Sequence, residues 1–248
     1  LYLQQGSWQG RQVVPAAWVA AATSWQIRNG DGGASDWAQG YGYQFWRCRH
    51  GIFRGDGAFG QFCIVMPEQD AVVAITSGTG NLQGVLDCVW ENVLPAMAAG
   101  GDAGQDAALA DRLSDLTLAP QTDRPGSGAT LQGEHRLEAN PAGLESVSLA
   151  FSGELCRVTL LESGHARTVD CGFGHWRAGV VERAAGQGPE PCAGLAAWEE
   201  DGSLRLDWYF VRTPFGRTLR VRPVAAGVEV EHRPNVGEHA RGLSIRGN

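Results

Sequence analysis

The chain is 248 residues long, 43% hydrophobic and 19% charged, with a formal net charge of −7, and all 20 of its basic residues are arginine. The absence of lysine excludes, within this chain, a Ser-Lys nucleophile pair, a Schiff base and a phosphate-loop lysine. The acidic balance offers no basic surface for nucleic acid or an anionic membrane, and 43% apolar residues suffice for a buried core in one large or two modest domains.

In chain order, the sequence opens on Leu1 without a basic stretch and apolar run of signal-peptide type, so a segment is expected to precede it. Pro15 suits the first turn of a short helix through Ala16–Ala22, where its missing N–H is no loss. Asn29-Gly30-Asp31-Gly32-Gly33 reads as a surface loop. Tyr41–Trp46, Phe62–Met66 and Ala71–Thr76 read as an antiparallel meander, the last two strands joined by the turn Pro67–Asp70. The apolar stretches Val13–Ala22 and Phe62–Thr76 are too short or too interrupted to span a bilayer. Val85, Leu86, Val89, Trp90, Val93 and Leu94 recur at three- and four-residue steps, the pattern of a helix packed on that sheet and ending near Pro95.

Residues 99–128 change character, with Gly100-Gly101, a short amphipathic helix carrying Leu109, Leu113 and Leu116, and a Pro-, Gly- and Ser-rich stretch that reads as a linker. Beyond it, Leu144–Phe151, Glu154–Glu162, His165–Cys171, Leu195–Glu199, Leu204–Arg212, Thr218–Pro223 and Val228–Arg233 are short alternating runs divided by turn residues, as in a small sandwich or closed barrel.

The six cysteines form no C-x-x-C pair and no local Cys/His ligand set, so buried thiols are expected rather than a disulfide framework, and no metal site is named. Gly55-Asp56-Gly57-Ala58-Phe59-Gly60 has the spelling of a dinucleotide loop, but Gly60 leads into a strand where that loop needs a helix N-terminus. It reads as a strand-entry turn. No G-x-S-x-G elbow and no H-E-x-x-H occurs, and the six histidines lack partners fixed by spacing, so each is expected to be structural or exposed. Aromatic residues crowd between Trp37 and Phe62. They serve either sheet-helix packing or the wall of an apolar cleft.

Tyr41-Gly-Tyr-Gln-Phe-Trp46, the run from Arg54 to Thr76 and the helix ending Val93-Leu-Pro-Ala96, preceded by Leu3–Pro15 and Trp18, resemble the C-terminal part of serine hydrolases of the β-lactamase and penicillin-binding-protein superfamily, nearest the class C and esterase-like branch. The resemblance covers residues 1–98. It implies an α+β fold: the C-terminal part of a β-lactamase-like transpeptidase fold (antiparallel strands plus a packing helix), followed by an all-β barrel or sandwich at 129–248. It also implies a Ser-x-x-Lys nucleophile segment, which this chain lacks, and a third motif of Lys/His-Thr/Ser-Gly. The equivalent here is Gly55-Asp56-Gly57, or Arg54 to Gly57 in a shifted alignment, without the usual cation and hydroxyl. Asp56 stands as a hydrogen-bond acceptor or a turn cap. The Ala58 N–H, just after Gly57, would donate to the oxyanion, and Tyr43, Trp46 and Phe59 would line the cleft. The region after the linker resembles, more weakly, barrel or lipocalin-like domains appended to some of these hydrolases.

The functional expectation is therefore the C-terminal fragment of a serine hydrolase acting on a small ester or amide, inactive alone and without a cofactor. The alternative is a non-enzymatic module that binds a ligand or partner on a degenerate hydrolase scaffold. Self-association, or complementation by the missing N-terminal part, completes the partner expectations. Arg, Ala and Gly richness without Lys suggests a GC-rich bacterial genome, with cytoplasm and cell envelope both open as compartments.

Overall fold

The computed structural model describes residues 1–97, 101–121, 130–182, 186, 188–237 and 240–248; parts of the expected linker, and His239, lie outside them. The chain divides into two compact units, Leu1–Leu116 and Thr117–Asn248.

The first unit begins with the two-residue strands β1 (Ser7–Trp8) and β2 (Arg11–Gln12), then helix α1 (Ala16–Thr23) with Pro15 at its N-cap. Its sheet runs in the order β3 (Trp46–Arg47), β4 (Phe53–Gly57), β5 (Gln61–Met66), β6 (Ala71–Ile75), all antiparallel. A helical segment follows: α2 (Leu82–Cys88), a π-helical stretch Val89–Val93 and a last turn Leu94–Ala96 that contains Pro95. The Asn81 side chain caps α2 by accepting from Gly84 N at 3.0 Å. Leu86, Val89 and Trp90 bury against Ile52, Phe62, Ile64 and Met66, so the alternation of β5 faces one side toward this helix. On the opposite face Phe53 packs on Phe45, while Cys63, Val72 and Ala74 are exposed. Helix α3 (Ala103–Ser114), capped by Asp102, presents Leu109 and Leu113 to solvent.

The second unit is a nearly closed barrel. Its strands are β7 (Gly133–Arg136), β8 (Leu144–Ser152), β9 (Leu155–Glu162), β10 (His165–Phe173), β11 (Arg177–Glu182), β12 (Pro189–Trp198), β13 (Leu204–Phe210), β14 (Gly216–Val224), β15 (Gly227–Pro234) and β16 (Leu243–Gly247). The sheet order is β16-β15-β14-β13-β12-β10-β9-β8-β7, with β11 also paired to β12. The ten-residue β12 serves two neighbours, taking β11 antiparallel along Pro189–Gly194 and β10 parallel along Gly194–Ala196. The two ends of the sheet meet through Arg136 N to Asn248 O (3.1 Å), Asn248 N to Arg136 O (3.0 Å) and Glu138 N to Arg246 O (2.9 Å). Closure in this way leaves little unpaired edge. Alternate residues of each strand fill the interior, among them Cys156, Val158 and Leu160 of β9 and Leu204, Leu206, Trp208 and Phe210 of β13. At one end the inward series continues into Glu162, which takes Arg217 Nη1 at 2.8 Å and also pairs with Arg167.

The expectation of an α+β chain built on a transpeptidase fold is overturned. Strands hold 43% of the residues and helices 18%, so β structure dominates. That expectation came from the resemblance of residues 1–98, whereas more than half of the chain lies in the second unit, whose described elements are all strands. Within the first unit the first expected strand also shrinks to Trp46–Arg47, because Gln44 adopts φ 68° and breaks the run; Tyr41 makes only isolated bridges to Ile27 and Trp46. Conversely Gly55–Gly57, the first half of the expected strand-entry turn Gly55–Gly60, belongs to the strand Phe53–Gly57. Of the second unit's two expected architectures, the structure is the barrel. All six cysteines are free thiols, Cys63 and Cys88 exposed and the others buried. Among the described residues no helix is long and apolar enough to cross a membrane.

Candidate functional site

The residues singled out in the sequence converge on β4 and the hairpin that follows it. Arg47 N donates to Gly40 O at 2.9 Å, away from β4, whereas Cys48 N donates to Ile52 O at 2.8 Å. By antiparallel alternation the main-chain groups of Arg54, opposite Trp46, face β3. Those of Asp56, two residues on, face the same side, but β3 has ended: among the described residues no strand pairs there. Gly55 and Gly57 point their main-chain groups the other way, into β5, opposite Cys63 and Gln61. The β4 edge is therefore open beyond Trp46. Ala58 is exposed at the start of the turn, and Phe59 follows at φ 67° with its carbonyl held by Ser77 Oγ (3.0 Å) and Thr79 N (3.1 Å).

Behind that edge lies the first residue of the shifted motif alignment. Arg54 is fully buried, its guanidinium 4.3 Å from the Trp37 ring centroid, 5.6 Å from Trp46 and 6.0 Å from Phe62. It donates to Asp56 Oδ2 at 3.2 Å, to Asp36 O at 3.1 Å and to Cys48 Sγ at 3.1 Å. Asp56 thus accepts from a buried arginine. Burial is the largest influence on the Cys48 thiol, and it carries the pKa up to about 11 despite the neighbouring Arg54 charge.

Asp36, also fully buried, ties this wall together. Its Oδ1 accepts from Arg49 N (2.9 Å), and its Oδ2 accepts from Arg49 Nη2 (2.9 Å), Gln83 Nε2 (2.8 Å) and Trp90 Nε1 (2.8 Å). Burial pushes its pKa up, yet the bonds from Arg49, Gln83 and Trp90 outweigh that and hold the carboxyl below its ordinary value. One carboxylate therefore fixes the segment before β3, the β3–β4 connection and α2 relative to one another. Nothing in the sequence marks it, since its partners lie up to 54 residues away.

Trp46 and Asp56 are brought together through Arg54, and Gly57, Ala58 and Phe59 form the adjoining turn. Tyr43 is placed elsewhere: its ring stacks on Trp18 of α1 at 5.5 Å and its hydroxyl meets Gln26 Oε1 at 3.3 Å. Among the described residues no group of three or more His, Cys, Asp or Glu side chains could hold a metal ion. No family model matches the chain, and no curated protein matches it significantly.

Proposed function

We propose that the first unit forms one wall of an acyl-transfer site for an ester or amide, with the nucleophile supplied by a polypeptide segment outside these 248 residues. The observation that carries this reading is the open main-chain edge of β4 at Asp56–Ala58, flanked by two glycines that leave room for an extended substrate. Attack on a carbonyl carbon moves negative charge onto its oxygen, and a fixed N–H aimed there stabilises the transition state more than the ground state. Ala58 N–H is that donor. The Arg54 charge is spent on Asp56 behind the edge, so stabilisation at the reacting oxygen rests on main-chain groups. The resemblance of residues 1–98 to the β-lactamase and penicillin-binding-protein superfamily leads to the same reading of activity, apart from the fold it implied.

The rival reading is a non-enzymatic module that binds a ligand or partner on a degenerate hydrolase scaffold, and the packing of the barrel weighs against an apolar ligand stored inside it. A partly enclosed pocket inside the barrel, lined by Val158, Leu160, Trp208 and Phe210 together with Arg167 and Arg217, measures about 10 Å³, room for about one water.

The test compares the 248-residue chain with a longer product of the same gene that carries a serine nucleophile. The chain alone should not react with a fluorophosphonate. The longer product should react, and Ala58→Pro, which deletes the N–H, should lower kcat by roughly 10²–10³ while Ala58→Gly stays within a few-fold. Labelling of the 248-residue chain itself, or full activity in Ala58→Pro, would refute the proposal.

A further inference from the structure

One end of the barrel carries more positive than negative charge on its inner face. Arg167 stands opposite Leu160 and Arg217 opposite Trp208 in the strand registers, so both guanidinium groups share the face of those buried side chains. Glu162 continues the same inward series on β9. Arg217 Nη1 and Nη2 donate to Glu162 Oε2 and Oε1 at 2.8 and 3.5 Å, and Arg167 Nη1 also donates to Oε2. Because β14 and β9 are not neighbours in the sheet, this ion group spans the interior.

The group is unbalanced. Burial raises the pKa of Glu162, but Arg217 and Arg167 outweigh it and hold the carboxyl below its ordinary value, so at neutral pH it supplies one negative charge against two positive. His232, which also acts on Glu162, adds no negative charge in either protonation state. Among the described residues neither guanidinium is bonded to another carboxylate. The two arginine side chains are only 14% and 19% exposed, and a cation withdrawn this far from water is costly without a counter-charge. Each guanidinium has five N–H donors, and most of them are left over.

Both arginines line the pocket of about 10 Å³ inside the barrel, and Val158, Leu160, Trp208 and Phe210 make its wall apolar. Space for about one water is also space for one methyl group, which that wall suits. We propose that this end of the barrel binds a two-carbon monocarboxylate of the acetate type. Its carboxylate bridges Arg167 and Arg217, whose planar forks match it, and its methyl enters the pocket. The anion brings the buried charge into balance. Longer or branched acids exceed the space, so the site is no store for an apolar ligand. A ligand of so few atoms binds weakly, with Kd roughly millimolar.

Saturation-transfer NMR on the 248-residue chain, titrated with sodium acetate at an ionic strength kept constant with sodium chloride, should give a saturable methyl signal. Intermolecular NOEs should connect that methyl to Val158 and Leu160. Pivalate should give no signal. Arg167→Met leaves the Arg217–Glu162 pair in place and should weaken acetate about tenfold or more. Val158→Ile fills the pocket with one methyl while keeping both arginines, and it should erase the advantage of acetate over formate, which has no methyl. Should Arg167→Met fail to fold, Val158→Ile decides. A wild-type chain without a saturable acetate signal overturns the proposal and means that the chain itself supplies the second counter-charge. Pivalate binding as well as acetate overturns it too, and so does acetate binding that either folded variant leaves unchanged.

Discussion

Arg54 and Asp56, two residues apart on the same face of β4, form an ion pair at 3.2 Å in which the guanidinium is wholly shielded from water and the carboxylate is 15% exposed. The pair sets the electrostatics of the candidate site. It keeps a cation behind the open edge, and it orients Asp56 inward.

Removing the carboxylate should therefore harm stability more than removing the pair. Asp56→Ala leaves a buried guanidinium with Asp36 O, Cys48 Sγ and three aromatic rings for company, and should destabilise the first unit by about 3 kcal/mol, the low end for a broken buried pair. Arg54→Met with Asp56→Ala should recover part of that loss, because an apolar side chain suits the cage. Urea unfolding of the single and double variants measures the difference; equal losses would mean the charge is not the cause.

Two carboxylates predict the acid limb of stability. Asp36 lies below its ordinary value because hydrogen bonds from Arg49, Gln83 and Trp90 outweigh burial. Glu162 does so in the barrel because Arg217 and Arg167 outweigh it. A carboxyl whose pKa is lower folded than unfolded contributes stability above its unfolded pKa, and that contribution is lost as pH falls through the folded value. Thermal unfolding midpoints should therefore hold steady from neutral pH to about 5 and drop below about 4. Asp36→Asn should flatten that drop for the first unit only, and E162Q for the barrel only.

These relationships mark where the sequence was legible. α1 after Pro15, the helix around Val89 and Trp90, and the turn Pro67–Asp70 follow from capping, period and turn chemistry, all local properties. The β9–β10 hairpin is equally local: Ser163 and Gly164, at φ 51° and 77°, make the two-residue turn its twist demands. Strand β4 was hidden because three of the six residues from Gly55 to Gly60 are glycine, and a glycine-rich run reads as a turn; its pairing comes from β5. β7, β11 and β16 carry little alternating apolar character and are strands because the barrel supplies neighbours. The site divides the same way. Asp56 to Phe59 were visible as a motif, whereas the hub at Asp36 exists only through contacts with Arg49, Gln83 and Trp90.

Thiol chemistry should separate the cysteines into two classes. Cys63 and Cys88 are exposed, whereas burial lifts Cys156 to about 12 and raises Cys171 and Cys192 as well. Since the thiolate is the reactive form, a disulfide reagent at pH 8 should modify Cys63 and Cys88 in the native chain and the other four only in denaturant. Mass spectrometry of the labelled peptides identifies them. Native labelling of Cys156 or Cys171 would mean that the barrel opens on the time scale of the reaction.

Gly194 and Gly55 provide a paired steric test, since both are in strands but their surroundings differ. A Cβ on Gly194 would stand 2.6 Å from Asp170 O and 2.9 Å from Cys171 Sγ, where β12 changes partner from β11 to β10. A Cβ on Gly55 would meet nothing within 4 Å. Gly194→Ala must push two strands apart, and backbone cannot yield as a side-chain tip can, so the barrel should lose about 1–3 kcal/mol. Gly55→Ala should be neutral or slightly stabilising through the lower entropy of its unfolded chain. Calorimetry on both variants distinguishes the outcomes: a Gly194→Ala barrel that melts with the wild type would show that β12 does not approach β10 so closely.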